Sequence, residues 1–220
     1  MSTGEPAVGA LLSEVFAAAD APLALAGGWA LQAHGLLERP HGNVDLATNS
    51  THPMRRITWG VAAALTSRGH EVTVRSTSPF SADLTVGTAP LTLHKETLSA
   101  PPVPTPYGPA LSLPDAVGTK IRALHDRGLA IDLIDARAAS ARFTFPDLEN
   151  LARRHTRDDF DLPTLQSRLT GTDHYPDTAF TAYGLAEDDI SELRVWAQAW
   201  STDIAERLLE EGASPDDQEE

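Results

Sequence analysis

Cysteine is absent from the 220 residues. That excludes a disulfide framework and any thiolate nucleophile or thiolate metal ligand. Long apolar runs are absent too, and none approaches the roughly 20 residues that a bilayer-spanning helix needs. The first residues, MSTGEPAVG, carry no basic stretch ahead of an apolar one, so they do not read as a secretory signal. Positive charge is scarce: Lys and Arg number 17 against 31 Asp and Glu, a formal net charge of -14. Such a surface repels phosphodiester backbones, so general nucleic-acid binding is not expected, although a local basic patch is compatible with it. These absences together predict a cytoplasmic protein with no membrane association.

What remains is ordinary globular material, 41% hydrophobic and 22% charged. The length suits one medium domain or two small ones. Its most informative stretch is residues 23–48, LALAGGWALQAHGLLERPHGNVDLAT. The pattern predicts a short apolar strand, a Gly27-Gly28 turn, a helix over 28–37, an Arg39-Pro40 turn and a second strand over 43–47. A strand ending in Gly-Gly at a helix start lets backbone N–H groups approach an anion closely. On the second strand, Asn43 and Asp45 share one face because strand side chains alternate.

The rest of the chain divides by composition. An amphipathic helix is predicted over 7–20, with Leu11, Leu12, Val15 and Phe16 on one face. A helix over 53–68 and strands over 70–76, 80–86 and 91–95 follow, the last two joined by a turn at 87–90. Residues 97–109, TLSAPPVPTPYGP, are too proline-dense for a central strand or a helix interior and read as a connection. Helical segments are then predicted over 113–127, 131–139, 146–155, 162–169, 179–183 and 187–209. In the last, Leu193, Trp196 and Trp200 fall at helical spacing and read as core. The predicted organisation is an α/β lobe over 1–109, a helical lobe over 110–209 and an acidic disordered tail over 210–220.

The Gly27-Gly28 turn, its helix, Arg39 and Asp45 together resemble the nucleotidyltransferase superfamily, and within it the AbiEii/AbiGii toxin family. That family is marked by a Gly-Gly or Gly-Ser turn and an Arg-x-Thr-x-Asp-x-Asp-like strand. Lys120, His125-Asp126-Arg127-Gly128 and Asp132-Leu133-Ile134-Asp135 resemble its later Lys…Asp-Arg…Asp-x-x-Asp region. The resemblance implies an α+β fold: a nucleotidyltransferase-type mixed β-sheet with flanking helices, followed by a helical C-terminal lobe. It also implies phosphate binding by Gly27, Gly28, Arg39, Lys120 and Arg127. Family members hold two divalent metals with three carboxylates, two on the strand and one on a neighbouring strand. Here Asn43 stands at the first position, Asp45 at the second and Thr92 at the third. His41 replaces the threonine, and His94 follows Thr92 by two residues. No metal site is expected on that alignment; Asp45 and Asp83 are the candidates if one exists.

Three readings follow. In the first, the pocket is repurposed for metal-independent acid/base chemistry on a small molecule (an isomerisation, cyclisation or elimination), with Asp45, His41, His94 and Asn43 as the working groups and no cofactor. Histidine suits this role because imidazole exchanges protons near neutral pH. His34 is a third histidine near the pocket by motif position. In the second, the protein is an active AbiEii-like nucleotidyltransferase. It uses Mg²⁺ and an NTP to place a nucleoside monophosphate on a tRNA end, protein or small molecule, and has an antitoxin partner. In the third, it is a non-catalytic nucleotide- or protein-binding module. Lys120 and Arg127 share a helix face, while Asp132 and Asp135 read as helix-start carboxylates with an ion pair to Arg127.

Overall fold

The computed structural model describes residues 5–39, 41–155 and 159–213. They fall into two compact units divided between Thr119 and Lys120. In the first, α1 (Glu5–Ala18) leads to β1 (Ala24–Leu25), α2 (Gly27–Ala33), β2 (Val44–Thr48) and α3 (Met54–Ser67). Then come β3 (Val72–Thr77), β4 (Ser81–Val86), β5 (Ala89–Lys95), β6 (Val103–Thr105) and β7 (Gly108–Ala110). The strands form one seven-stranded mixed sheet in the order β3-β4-β5-β2-β1-β7-β6. The predicted elements are present, with ends displaced by a few residues, as fraying termini dictate.

The sheet has two unlike faces, and register sets both. Leu84 pairs with Leu91, and Leu91 with Val44; Ala82 pairs with Leu93, and Leu93 with Leu46. All six side chains are buried. They join Leu12 and Val15 of α1 and Ile57, Val61 and Leu65 of α3 in one core. The apolar positions of α3 recur at helical spacing, so a single face meets the sheet. Each fully buried leucine or isoleucine contributes about 1.5–3 kcal/mol of transfer free energy. The intervening residues, Asp83, Thr92 and Asp45, line up across β4, β5 and β2 on the opposite face.

The proline-dense segment corrects the expectation of a bare connection. It forms the β6–β7 hairpin, and β7 pairs in parallel with β1 through Leu25 and Ala110. Pro104 and Pro109 lie opposite each other. Antiparallel ladders alternate hydrogen-bonded and non-hydrogen-bonded pairs, and two residues without N–H groups can only occupy the second kind. The pairing to β1 is a single register position, continued by Leu111 N–H donating to Leu25 O at 2.9 Å. The proline pair therefore sits in the middle of the β6–β7 ladder without leaving a gap in it.

Helix α4 (Leu113–Arg127) begins in the first unit. Asp115 is buried at its first turn and gathers the chain around it. Its carboxylate accepts from Ser99 N–H at 3.0 Å, Ala100 N–H at 3.2 Å and the Ser112 hydroxyl at 2.8 Å. Burial pushes its pKa up, but the Ser99, Ser112 and Ala100 hydrogen bonds outweigh that and hold it below its ordinary value of 3.8.

The second unit is helical: the remainder of α4, then α5 (Ala130–Ala139), α6 (Phe145–Arg153), α7 (Leu162–Thr170), a 3-10 turn at Gly171–His174, α8 (Thr178–Thr181) and α9 (Glu187–Ala213). The long last helix passes residue 209, where the sequence predicted its end. Residues 214–220 of the acidic tail lie outside the described residues. Trp200 is fully buried, stacked on Phe145 at 5.2 Å, as expected of a core residue. Its indole N–H donates to Glu149 Oε1 at 2.9 Å. Arg207 donates to both oxygens of that carboxylate, at 2.9 and 2.6 Å. No helix among the described residues is long and apolar enough to cross a membrane.

Two stability predictions follow from these buried carboxylates. Asp115→Ala leaves three donors around α4 without their acceptor and is expected to cost about 1–3 kcal/mol in urea unfolding of the full chain. Because the folded carboxyl binds its proton less tightly than the unfolded one, this stabilisation is complete above about pH 4 and is lost as pH falls through the depressed value. In the variant the acid limb of the pH–stability curve should be shallower. Glu149→Ala leaves the Trp200 indole without its acceptor and Arg207 with Asp203 as its remaining carboxylate, and is expected to cost about 1–3 kcal/mol by the same measurement. A loss below about 1 kcal/mol in either variant contradicts the role given to that carboxylate.

Candidate active site

The polar face of the sheet and the start of α2 place most of the sequence-predicted residues together. Gly27, in the left-handed region at φ 58°, turns the chain from β1 into α2. A Cβ there would run into the Asp45 carboxylate. A Cβ on Gly28 would stand 2.6 Å from Arg39 Nη2 and 2.6 Å from both Cε1 and Nδ1 of His41. The two glycines thus make room for the chain's own functional groups: Asp45 over the first, Arg39 and His41 over the second.

Asp45 comes from the middle of β2. Its Oδ1 accepts from Asn43 Nδ2 at 2.8 Å and from His94 Nε2 at 3.4 Å, while Oδ2 faces Gly27. His94 lies on β5, paired with Ala47 of β2, one position along the same face from the Asp45–Thr92 pair. Alanine at 47 leaves space for the imidazole to lean across to Asp45. Both side chains remain accessible, 34% for His94 and 21% for Asp45. With its Nε2–H turned to the carboxylate, His94 presents Nδ1 as an acceptor. A base oriented by a carboxylate in this way can take a proton and have the resulting charge balanced nearby.

His41 has a different environment. Its Nε2–H donates to Gln32 Oε1 at 2.7 Å, and its Nδ1 accepts from Arg39 Nη1 at 3.2 Å. Trp29 backs the ring at 4.7 Å between centroids. The Trp29 indole N–H donates to Asn43 O at 3.1 Å and so also fixes the backbone next to Asp45. Gln32 and Trp29 were not singled out from the sequence. Gln32 lies four residues after Gly28, on the same helix face, and that spacing was the available signal. His34 is turned to the backbone, its Nε2–H donating to Leu111 O at 2.8 Å.

Asp83 stands two strands from Asp45, with Thr92 between them. At ~4.8 Å per strand the two backbones are roughly 10 Å apart. Asp83 accepts from Ser76 Oγ at 2.6 Å and Thr92 Oγ1 at 3.2 Å. Among the described residues no three His, Asp or Glu side chains converge as a metal site would require. Lys120 and Arg127 belong to the second unit. There Lys120 Nζ is 2.7 Å from Asp135 Oδ2, both side chains being buried, and Arg127 makes a two-pronged contact with buried Asp132.

No protein-family model matches the chain, and no curated protein matches it either. Solved structures do. The chain is similar to JHP933 from Helicobacter pylori, with 17% identity, 94% of each chain covered and a TM-score of 0.53. It is similar to MenT4, a nucleotidyltransferase toxin from Mycobacterium tuberculosis, with 18% identity, 90% of this chain and 85% of that one covered, and a TM-score of 0.53. It is also similar to the antibiotic-resistance factor ANT(2'')-Ia, with 17% identity, coverage of 78% and 97%, and a TM-score of 0.52. Identities this low speak to architecture: the chain carries the mixed α+β fold found in nucleotidyltransferases.

Proposed function

We propose that this protein is an enzyme that uses the nucleotidyltransferase-type fold for proton-transfer chemistry on a small anionic molecule. The observation that carries the reading is the junction at Asp45 Oδ1, which accepts from both Asn43 and His94. With Nε2 on that carboxylate, Nδ1 is the His94 nitrogen assigned the role of base. In the forward step Nδ1 takes a proton from carbon, the C–H electron pair moves into an adjacent electron-withdrawing group or expels a leaving group, and Asp45 balances the imidazolium. In an isomerisation or cyclisation His94 returns the proton at a second atom. In an elimination the proton leaves with the departing group or to water.

The donor set supports a metal-independent step. Two-metal phosphoryl transfer wants carboxylates that bridge ions about 3.5–4 Å apart. Asn43 and Thr92 offer neutral oxygens at the positions where the resemblance calls for charge. Asp83 is held by Ser76 and Thr92 at the far side of β5. Replacing a charged ligand by a neutral one removes a pairwise attraction of about 4 kcal/mol per unit charge at an effective dielectric near 20. No step is therefore assigned to a metal.

A second reading is favoured by the likeness to MenT4. In it the same face binds an NTP with Mg²⁺ and passes the nucleoside monophosphate to a tRNA end, protein or small-molecule acceptor. An antitoxin partner would accompany that activity.

Incubating the full chain with a cellular small-metabolite extract in EDTA, followed by mass spectrometry, tests the first reading. A substrate should be consumed, and His94→Gln or Asp45→Asn should slow its loss by ~100-fold or more. A parallel thermal-shift panel of the four ribonucleoside triphosphates separates the second. A ligand at ~100 times its dissociation constant stabilises a fold by about 2.7 kcal/mol. Stabilisation that requires nucleotide and Mg²⁺ together, with no turnover in EDTA, overturns the first reading in favour of the second.

A further inference from the structure

The candidate site holds two histidines whose surroundings assign them different work. His94 has one nitrogen on a carboxylate and a third of its side chain accessible. His41 has both ring nitrogens engaged, one donating to Gln32 and one accepting from Arg39. An imidazole so committed must give up one of those bonds before it can collect a substrate proton. Trp29, itself buried, lies against the ring and removes its freedom to turn.

We propose that His41 is a positioning residue: held by Gln32 and Trp29, it sets the Arg39 guanidinium over Gly28, where Arg39 takes the anionic group of the substrate, a phosphate or a carboxylate. The inference rests on the reading above for the location of the site. Three features carry it. The acceptor at Nδ1 fixes Arg39 through Nη1. The missing side chain at 28 lets Nη2 and the imidazole lie directly on the turn, where any Cβ would collide with both. And a guanidinium is planar, always charged and shaped to grip two oxygens at once. Arginine otherwise spends much rotamer entropy on binding, and a side chain already held in place loses less. The chain from Gln32 through His41 to Arg39 is a preorganisation device: Arg39 can only donate, which makes Nδ1 of His41 the acceptor, and Gln32 Oε1 takes the proton on Nε2 and holds the ring in place.

Calorimetric titration of the full chain tests this with two probes, inorganic pyrophosphate and succinate. At least one should bind the wild type and fail to bind Arg39→Ala; preference for the first indicates a phosphate-bearing substrate, for the second a carboxylate-bearing one. His41→Ala and Gln32→Leu should each weaken binding by about tenfold or more, the loss of a fixed charged hydrogen-bonding group. His41→Asn, whose side-chain oxygen takes the place of Nδ1 as acceptor for Arg39, should restore binding to within a few-fold of wild type. A merely structural role would not show that rescue. Circular dichroism identifies variants that fold, and Gln32→Leu stands in for His41→Ala if the latter does not. Loss of binding in Arg39→Ala with no change in His41→Ala or Gln32→Leu overturns the positioning role. So does a His41→Asn variant that binds as weakly as His41→Ala. Binding of neither probe by the wild type overturns the anion role of Arg39 while leaving metabolite turnover in EDTA as the separate test of proton transfer.

Discussion

Strict alternation of side chains across β4, β5 and β2 is the constraint on which the first unit depends. One set of residues is apolar and buried under α1 and α3; the other carries Asp83, Thr92, His94 and Asp45. A slip of one residue in any of these strands would exchange the two sets, burying carboxylates and exposing leucines. Core packing and site assembly are therefore decided by the same register. The cost of burying a charge and the gain from burying Leu46, Leu84, Leu91 and Leu93 act in the same direction. The site inherits its rigidity from the core beneath it.

The Gly-Gly turn is the second point at which fold and chemistry meet. Its usual interpretation is backbone laid open for a phosphate. Here the space that the missing side chains leave is taken by Asp45, Arg39 and His41 of the chain itself. The glycines bring three side chains from the 39–45 segment close to the start of α2, while Trp29 and Gln32 from α2 reach back to that segment. Helix and strand lock each other. That mutual locking turns a short helix and an irregular turn into a scaffold able to hold Arg39 in one orientation.

The second unit is organised around buried charge. Asp132, Asp135 and Glu149 are each almost fully shielded, and each meets a cation: Arg127, Lys120 and Arg207. Buried pairs of this kind contribute little net stability but are costly to break singly, so they fix which helices meet and in what alignment. Glu149 also takes the indole N–H of Trp200, tying α6 to α9 through a polar contact inside an aromatic cluster. Lys120 and Arg127, which motif resemblance marks for phosphate, are bound into this internal network.

Much of this was legible in the chain before any coordinates. The periodicity of α3, the alternation of β4 and β5, the Gly-Gly turn and the pairing of Asn43 with Asp45 on one face all follow from local residue patterns, because helices and strands repeat at fixed intervals. The mixed α+β class followed from resemblance, and Gly27, Gly28, Arg39, His41, Asn43, Asp45 and His94, which motif position marks, are linked by the contacts of the fold. The proline-dense segment differs from expectation: it forms a hairpin in which Pro104 faces Pro109, and Ala110 pairs with Leu25 of β1. Local sequence carries no record of such long-range pairing. Nor could it separate the two histidines. Residue type made His41 and His94 equivalent candidates. Only the tertiary structure decided that one faces Gln32 and Arg39 and the other Asp45, because a ring nitrogen's role is set by the hydrogen-bonding partner that the fold brings to it.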